Sequence, residues 1–274
     1  MISERARKRI IENIGITEFR KIIQDYFKDV EEEKKLWSAT IEIFHENVKT
    51  FYSNLLLLHK LLSKKEYNTK RLLDLGCGYG IFTKLIGDLL DFDEIYGIDY
   101  EEKVLTEAAN LGIKTIKSDL NDKIPLPDEY FQVCLSFGVL DHLIWWDNFF
   151  SEVNRILDNE GLLVIYITNL AGWDSRLSLL FGYQPRHIEI SRRKLFGTNK
   201  LYLKYSSSTA GHIRTSTLRA IIEIAQYYRF TEIKKWGLRS PVKNLLIRSI
   251  DKIASFFPNL SSRYLIIFKK VKKY

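Results

Sequence analysis

The sequence is poor in cysteine and has no apolar run long enough to cross a membrane. Cys77 and Cys134 are the only cysteines among 274 residues, which leaves no framework of disulfides or zinc ligands. A transmembrane helix needs about 20 apolar residues, whereas the longest candidate, residues 55–62, contains His59 and Lys60. These absences predict a soluble protein in a reducing, cytoplasmic compartment.

Internal repeats, low-complexity segments and a secretory signal are lacking as well. Residues 1–10 are basic, but Glu12 and Asn13 follow where a signal peptide would have its apolar core. The hydrophobic fraction of 46% is that of an ordinary globular protein. A chain of 274 residues can bury the core of one α/β domain, so a single domain is expected.

The formal net charge of +8 and an isoelectric point near 9.2 raise the question of an anionic partner. Basic residues are spread along the chain, and the one dense cluster comprises Lys269, Lys270, Lys272 and Lys273. Because no nucleic-acid-binding module is recognisable, nucleic acid is disfavoured and most of the charge is interpreted as solvated surface. A second interpretation stays open: the predicted helix at residues 242–257, apolar on one side, and the basic C-terminal region make peripheral contact with an anionic membrane.

The hydrophobic pattern changes near residue 69. In residues 1–68, apolar positions such as Phe44, Val48 and Phe51 recur at spacings of three and four, which predicts a helical N-terminal cap. In residues 69–274, short apolar runs alternate with amphipathic segments, the pattern of a parallel sheet with helices on both faces. Strands are predicted at residues 71–75, 94–99, 113–116, 131–137, 162–168, 231–236 and 264–270, and helices at residues 81–90, 101–111, 147–157, 215–228 and 242–257.

The expected fold class is therefore α/β, with a doubly wound, mostly parallel sheet of seven strands. The last strand has no crossover helix behind it, which is compatible with an antiparallel edge. Asn159 and Gly161 are interpreted as the stop signal of the helix at residues 147–157. Residues 169–213 are rich in turn residues, and a loop-rich stretch of this length is typical of a substrate lid inserted after the fifth strand.

A glycine-rich loop follows the first predicted strand of the domain. Gly76, Gly78 and Gly80 come after Asp74, and glycines at a strand–helix junction let the backbone turn sharply and approach a ligand. A dinucleotide fingerprint would need its third glycine at position 81, which is Ile81. An acid in this loop would repel a pyrophosphate, but it suits a cationic ligand such as S-adenosylmethionine, which carries an ammonium and a sulfonium and no phosphate.

The sequence DLGCGYG at residues 74–80 resembles the first motif of class I S-adenosylmethionine-dependent methyltransferases. Residues 131–143 resemble the family's fourth strand and following turn, and residues 162–240 are more weakly similar to small-molecule methyltransferases. The resemblance implies a Rossmann-like fold and S-adenosyl-L-methionine as cofactor. The cofactor-binding residues that it implies are Asp74, Gly76, Cys77, Gly78, Asp99, Tyr100, Asp119, Leu120 and Ser136.

Two of these acids have distinct expected roles. Asp99 closes the second predicted strand, and its two carboxylate oxygens match the ribose diol. The resemblance implies that Asp119 holds the adenine amino group and that Leu120 offers its backbone amide to the ring. Many members of the family have Glu where this chain has Asp141, whose shorter side chain leaves a direct role open.

The methyl acceptor is expected to be a small molecule or a glycan- or lipid-linked group, methylated on oxygen. A general base assists attack by a hydroxyl, and histidine suits this role near neutral pH. The candidates are His142, His187 and His212, of which His142, beside the cofactor motif, and His212, in the predicted lid, are preferred. No spacing of carboxylates with His or Asn suggests a metal site. Aromatic residues that could line an acceptor pocket are Trp145, Trp146, Trp173 and Tyr183.

Two other functions remain open at this point. A nucleic-acid or protein methyltransferase is one, although the Asn-Pro-Pro-Tyr-like tetrapeptide of amino-directed enzymes is absent at residues 136–139, which read SFGV. A cofactor-binding scaffold without catalysis is the other. The intact acids and glycines argue against lost cofactor binding, and they say nothing of the acceptor site.

Overall fold

The computed structural model describes residues 11–33, 38–199, 209–241 and 244–272. Its strands are β1 (Arg71–Leu75), β2 (Glu94–Asp99), β3 (Lys114–Lys117), β4 (Phe131–Phe137), β5 (Leu157–Thr168), β6 (Phe230–Leu238) and β7 (Arg263–Lys270). The α-helices are α1 (Ile16–Glu33), α2 (Ser38–Glu46), α3 (Val48–Leu62), α4 (Ile81–Leu89), α5 (Glu102–Asn110), α6 (Trp146–Ile156), α7 (Trp173–Leu180), α8 (Leu218–Tyr227) and α9 (Leu245–Ala254). A 3₁₀ turn covers Leu140–His142.

The strands form one sheet in the order β3-β2-β1-β4-β5-β7-β6. The first five strands pair in parallel, and β7 runs antiparallel to both of its neighbours. Thr168, at the end of β5, is paired with Arg263, at the start of β7. The predicted seven-stranded, mostly parallel α/β sheet is confirmed, and the antiparallel strand lies inside the sheet because β6 occupies the edge.

The N-terminal helices share a core with the sheet. Phe44 and Phe51 stack with ring centroids 3.7 Å apart, and Phe44 also lies 4.2 Å from the ring of Phe82 on α4. These residues belong to one buried cluster that extends to Leu72 on β1 and Leu265 on β7. The buried aromatic contacts between Phe44, Phe51 and Phe82 stabilise the position of α2 and α3 against α4, next to the glycine-rich loop.

The stop signal predicted for the third helix of the domain, at residues 147–157, is wrong. Helix α6 ends at Ile156, and β5 begins at once with Leu157. The pairing register with β4 shifts where Gly161 and its neighbours bulge out of the ladder, and Glu160 there adopts φ = +64°. Asn159 and Gly161 therefore form part of a β-bulge. A bulge and a helix end use the same types of turn residue, so the two are alike in sequence.

Candidate active site

The glycine-rich loop between β1 and α4 adopts the backbone that its residues predict. Gly76, Gly78 and Gly80 have φ values of +84°, +51° and +73°, a region that other residues rarely enter. The Gly76 amide donates to the carbonyl of Ile98 at 2.8 Å. A Cβ atom on Gly76 would lie 2.4 Å from Cγ2 of Val139, so this position has room for glycine alone.

A cavity of about 870 Å³ opens at the carboxyl ends of β1, β2 and β4. A cavity of this size suits a nucleoside-containing ligand together with part of a second molecule. Predicted site residues that line it are Asp74, Gly76, Cys77, Gly78, Asp99, Tyr100, Asp119, Leu120 and His142. Ser136 and His212 are not among the described residues that line it: Ser136 is fully buried within β4, and residues 137–139 line the cavity instead.

Asp74 is a buried carboxyl at the base of this cavity. Its Oδ2 accepts a hydrogen bond from the Thr83 hydroxyl at 2.6 Å, whereas its Oδ1 has no partner in the described part of the chain. Burial raises the pKa of Asp74 from 3.8 to about 7, although the Thr83 hydrogen bond acts in the opposite direction. A cationic group brought to Oδ1 would stabilise the ionised carboxylate and satisfy the open acceptor.

Asp99 is held by the backbone around it. Its Oδ2 accepts from the Gly78 amide at 2.9 Å, and its Oδ1 accepts from the Glu101 amide at 3.1 Å. These two bonds fix the carboxylate at the end of β2, in the cavity wall. The neighbouring Tyr100 is exposed over 75% of its surface, so its ring is accessible from the cavity mouth.

Asp119 acts together with a residue that the sequence analysis did not single out, Asn121. The Oδ1 atom of Asp119 accepts from the backbone and side-chain nitrogens of Asn121 at 2.8 and 2.9 Å. The side-chain oxygen of Asn121 in turn accepts from the amides of Ile144 and Trp145 at 2.8 and 3.1 Å. This chain of bonds ties the loop after β3 to the turn after β4, and an Asp-x-Asn turn is the signal that could have found it.

His142 and His212 lie together, with ring centroids 5.1 Å apart. The Nδ1 atom of His142 is 3.2 Å from the carbonyl oxygen of Gly211. A carbonyl can only accept, so this contact requires a proton on Nδ1 and leaves Nε2 of neutral His142 as an acceptor. Only His142 of the pair lines the cavity.

His212 is behind His142 and is mostly buried. Its nitrogens lie 4.0 Å from a carboxylate oxygen of Asp141 and 3.9 Å from one of Glu189. Burial, followed by repulsion from His142, lowers the pKa of His212 to about 4. His212 is therefore neutral at physiological pH.

Asp141 links the turn after β4 to the segment that precedes α8. Its carboxylate oxygens accept from the Thr168 hydroxyl at 3.0 and 3.1 Å. Its backbone carbonyl accepts from the amides of Ile213 and Arg214 at 2.7 and 3.1 Å. Burial raises the pKa of Asp141 to about 7. Asp141 is almost fully buried, and its contacts fix the turn that carries the neighbouring His142.

The apolar wall of the cavity comes from helical residues that the sequence analysis did not assign to the site. Ile43 and Phe44 of α2, Phe51 of α3 and Phe82 of α4 face the cavity. The aromatic residues proposed from the sequence lie elsewhere: Trp146 donates its indole N–H to the Leu140 carbonyl, Trp173 donates to Asp251, and Trp145 and Tyr183 are exposed at the surface. None of these four is among the described residues that line the cavity.

The residues present fit S-adenosylmethionine. Asp74 offers a buried acceptor without a partner, and the carboxylates of Asp99 and Asp119 line the same cavity. The glycine positions let the backbone lie close to the cavity. The polar groups of the cavity include three carboxylates, which suit a cationic ligand without phosphate. Cys77 and Cys134 are free and buried, without a disulfide.

A family profile described as a methyltransferase domain matches residues 73–165 of the chain. A protein of Mycolicibacterium smegmatis, described as a probable S-adenosylmethionine-dependent methyltransferase, is 32% identical over 100 residues, which cover 35% of this chain and 37% of that protein. A protein of Mycobacterium tuberculosis with the same description is 30% identical over 101 residues, which cover 35% of each chain. The match thus spans little more than a third of the length of these relatives.

Solved structures of methyltransferases share the fold at low sequence identity. An S-adenosylmethionine-dependent methyltransferase of Archaeoglobus fulgidus has a TM-score of 0.50 and 19% identity, covering 79% of this chain and 94% of that one. One of Mesorhizobium loti has a TM-score of 0.50 and 18% identity, covering 77% and 96%. The profile, the relatives and the glycine-rich loop agree: residues 73–165 match a methyltransferase domain, and this part of the chain is similar to S-adenosylmethionine-dependent methyltransferases.

Proposed function

We propose that the protein transfers a methyl group from S-adenosylmethionine to oxygen on a small-molecule, glycan-linked or lipid-linked acceptor. The observation that carries this proposal is the position of His142. It lines the same cavity as the cofactor-binding acids, and the Gly211 carbonyl orients its ring. A base that is oriented in this way suits an acceptor that must lose a proton, as a hydroxyl does.

When bound, the cofactor supplies an electrophilic methyl group. Asp74, Asp99 and Asp119 would hold the charged and polar parts of the cofactor, beside the glycine-rich loop that lines the same cavity. Nε2 of His142 would accept the acceptor's hydroxyl proton, so that the acceptor oxygen could take up the methyl group that the cofactor would supply. The proton then passes from His142 to solvent, because the His142 side chain is exposed at the cavity mouth.

The acceptor would lie between His142 and the apolar wall formed by Phe44, Phe51 and Phe82. This wall excludes water from one side of the cavity and favours an acceptor with an apolar portion. Arg192, Thr209 and Gly211 also line the cavity and belong to the predicted lid, part of which lies outside the described residues. We assign His212, neutral and behind His142, to positioning of the His142 ring.

The test is a methyl-transfer assay with isotopically labelled S-adenosylmethionine and a panel of sugars, phenols and glycolipids. Product on a hydroxyl should appear with the native protein and fall by about 10²–10⁴-fold in kcat for His142→Asn, the range of general acid–base catalysis. Cofactor affinity should stay within about twofold. His59→Asn, a change in α3 where His59 pairs with Glu12, is the matched control and should keep full activity.

Two results would contradict the proposal. Labelling of RNA or protein substrates alone would favour the nucleic-acid or protein methyltransferase. Unchanged kcat in His142→Asn would remove the assignment of the base, even if a hydroxyl acceptor were found.

A further inference from the structure

Helix α9 and the turn after it face outward with their apolar side. The buried residues of α9 are Asp251 and Ala254. The exposed residues include Leu245 and Phe256, which are 77% and 73% accessible, together with Leu246, Ile250, Ile253 and Phe257. This orientation is the reverse of that of an ordinary surface helix, which buries its apolar face.

Helix α7 shows the same reversal independently. Asp174, Ser175 and Ser178 are buried, whereas the exposed residues are Leu177, Leu179, Leu180 and Phe181. Monomeric proteins rarely expose contiguous apolar patches of this kind unless the patch contacts another surface. Because both helices expose their apolar residues, chance exposure of a single helix does not explain the pattern.

Hydrogen bonds connect the start of α7 to α9 and to the turn after it. The Trp173 indole donates to Oδ1 of Asp251 at 2.8 Å, and the Trp173 amide donates to the Leu260 carbonyl at 2.8 Å. Asp251 also accepts from the Ser262 hydroxyl and the Ser240 amide at 2.8 and 2.6 Å. These inward polar contacts fix which side of α9 faces out, and the exposed residues of α7 and α9 together are called the α7–α9 surface below.

The charge of the α7–α9 surface is of one sign. Arg176, Arg248 and Lys252 are exposed along the two helices, and Arg248 also pairs with Glu46 at 2.7 Å. The acids of these helices, Asp174 and Asp251, are both buried. An apolar surface with basic residues beside it and no exposed carboxylate of its own matches the interface of an anionic bilayer.

The α7–α9 surface lies at the same edge of the sheet as the cavity. Helix α7 follows the carboxyl end of β5, and α9 connects the end of β6 to the start of β7 at that edge. Of the C-terminal lysines, Lys269 and Lys270 lie at the other edge and are engaged there: Lys269 contacts Glu160 at 2.5 Å and Lys270 donates to the Leu157 carbonyl at 2.7 Å. Lys273 lies outside the described residues. Membrane contact would therefore use α7 and α9 rather than Lys269 and Lys270.

We propose that the α7–α9 surface docks on the surface of an anionic lipid bilayer. A second copy of the chain is a weaker candidate, because a two-fold interface would bring the basic residues of both copies together in a protein with a net charge of +8. Docking would place the cavity edge towards the lipid headgroups. The inference stands on the surface alone and holds whether or not an acceptor hydroxyl is methylated.

The test is sedimentation of the full chain with phosphatidylcholine vesicles that contain or lack phosphatidylglycerol. The protein should bind the anionic vesicles, and binding should weaken in high salt. The double variant Leu180→Asp/Phe256→Asp should bind at least about tenfold more weakly, because it puts two charges where apolar contact is needed. Tyr227→Asp, at an exposed aromatic residue near the opposite sheet edge, is the matched control and should bind as the native chain does.

Other outcomes would overturn the proposal. Equal vesicle binding by the double variant and the control would show that α7 and α9 do not touch lipid. A native dimer that the double variant converts to a monomer, without vesicle binding by either, would assign the surface to a second copy. Circular dichroism of both variants verifies the fold, since both sites are exposed and their substitution leaves the core intact.

Discussion

Acidification is expected to weaken cofactor binding through one carboxyl, Asp74. Burial raises its pKa to about 7, so in the protein without cofactor this carboxyl is ionised in about half of the molecules at pH 7 and in about 3% at pH 5.5. A bound cation would require the ionised form. The dissociation constant for S-adenosylmethionine should therefore rise by about 10–20-fold between pH 7 and pH 5.5.

Asp74→Asn provides the comparison that isolates this effect. The amide keeps the size of the side chain and can still contact Thr83, whose hydroxyl lies 2.6 Å from Oδ2 of Asp74, but it carries no charge at any pH. The variant should bind the cofactor more weakly at pH 7, by about 1–3 kcal/mol. Its affinity should change little between pH 7 and pH 5.5.

Isothermal titration calorimetry measures both quantities. Titrations at pH 7 in buffers of different ionisation enthalpy should show release of about half a proton on binding to the native protein and none from position 74 in the variant. Equal affinity of the native protein at both pH values would rule out ionisation of Asp74 as a requirement for binding. A pH dependence that persists in Asp74→Asn would belong to another group and would rule out Asp74 as its source.

Three further changes test other parts of the site. Asp99→Ala should weaken cofactor binding by about 1–3 kcal/mol in calorimetry, and unchanged affinity in a folded variant would remove the ribose assignment. Gly76→Ala should lower the free energy of unfolding by about 2 kcal/mol or more, since its Cβ would meet Val139 at 2.4 Å; Gly112→Ala, at φ = +82° with no neighbour within 4 Å, should lose less in the same denaturant titration. The pKa of His212 is about 4 in the folded protein, so only the unfolded chain takes up a proton at this position as the pH falls from about 6.5 to about 4. The free energy of unfolding should therefore fall by up to about 3 kcal/mol over this range. It should fall less steeply with pH in His212→Gln, and equal slopes in the two proteins would contradict the burial of a neutral ring.

The sheet could be predicted largely from local patterns. The bounds of β1, β2 and β4 agree with the prediction residue for residue, because buried parallel strands are short apolar runs between turn residues. The start of β5 could not be predicted in this way, because the residue types in the bulge at Glu160 and Gly161 are also typical of a helix end. Local sequence does not distinguish the two uses of these residues.

The candidate site divides in the same manner. The acids and glycines of the cavity follow strand ends at family spacing, and the structure brings them together. The apolar wall was missed because Phe44 and Phe51 reach the cavity from helices far away in sequence, through tertiary contacts with Phe82. Likewise, the direction in which α9 faces depends on the Asp251–Trp173 bond, a contact over 78 residues of sequence that a helical pattern cannot reveal.

The most direct test of the central claim is calorimetric titration of the purified protein with S-adenosylmethionine and, separately, with NAD. An acid-lined glycine loop without the third dinucleotide glycine should bind S-adenosylmethionine with micromolar affinity and leave NAD unbound. Binding of NAD alone, or of neither ligand, would contradict the account.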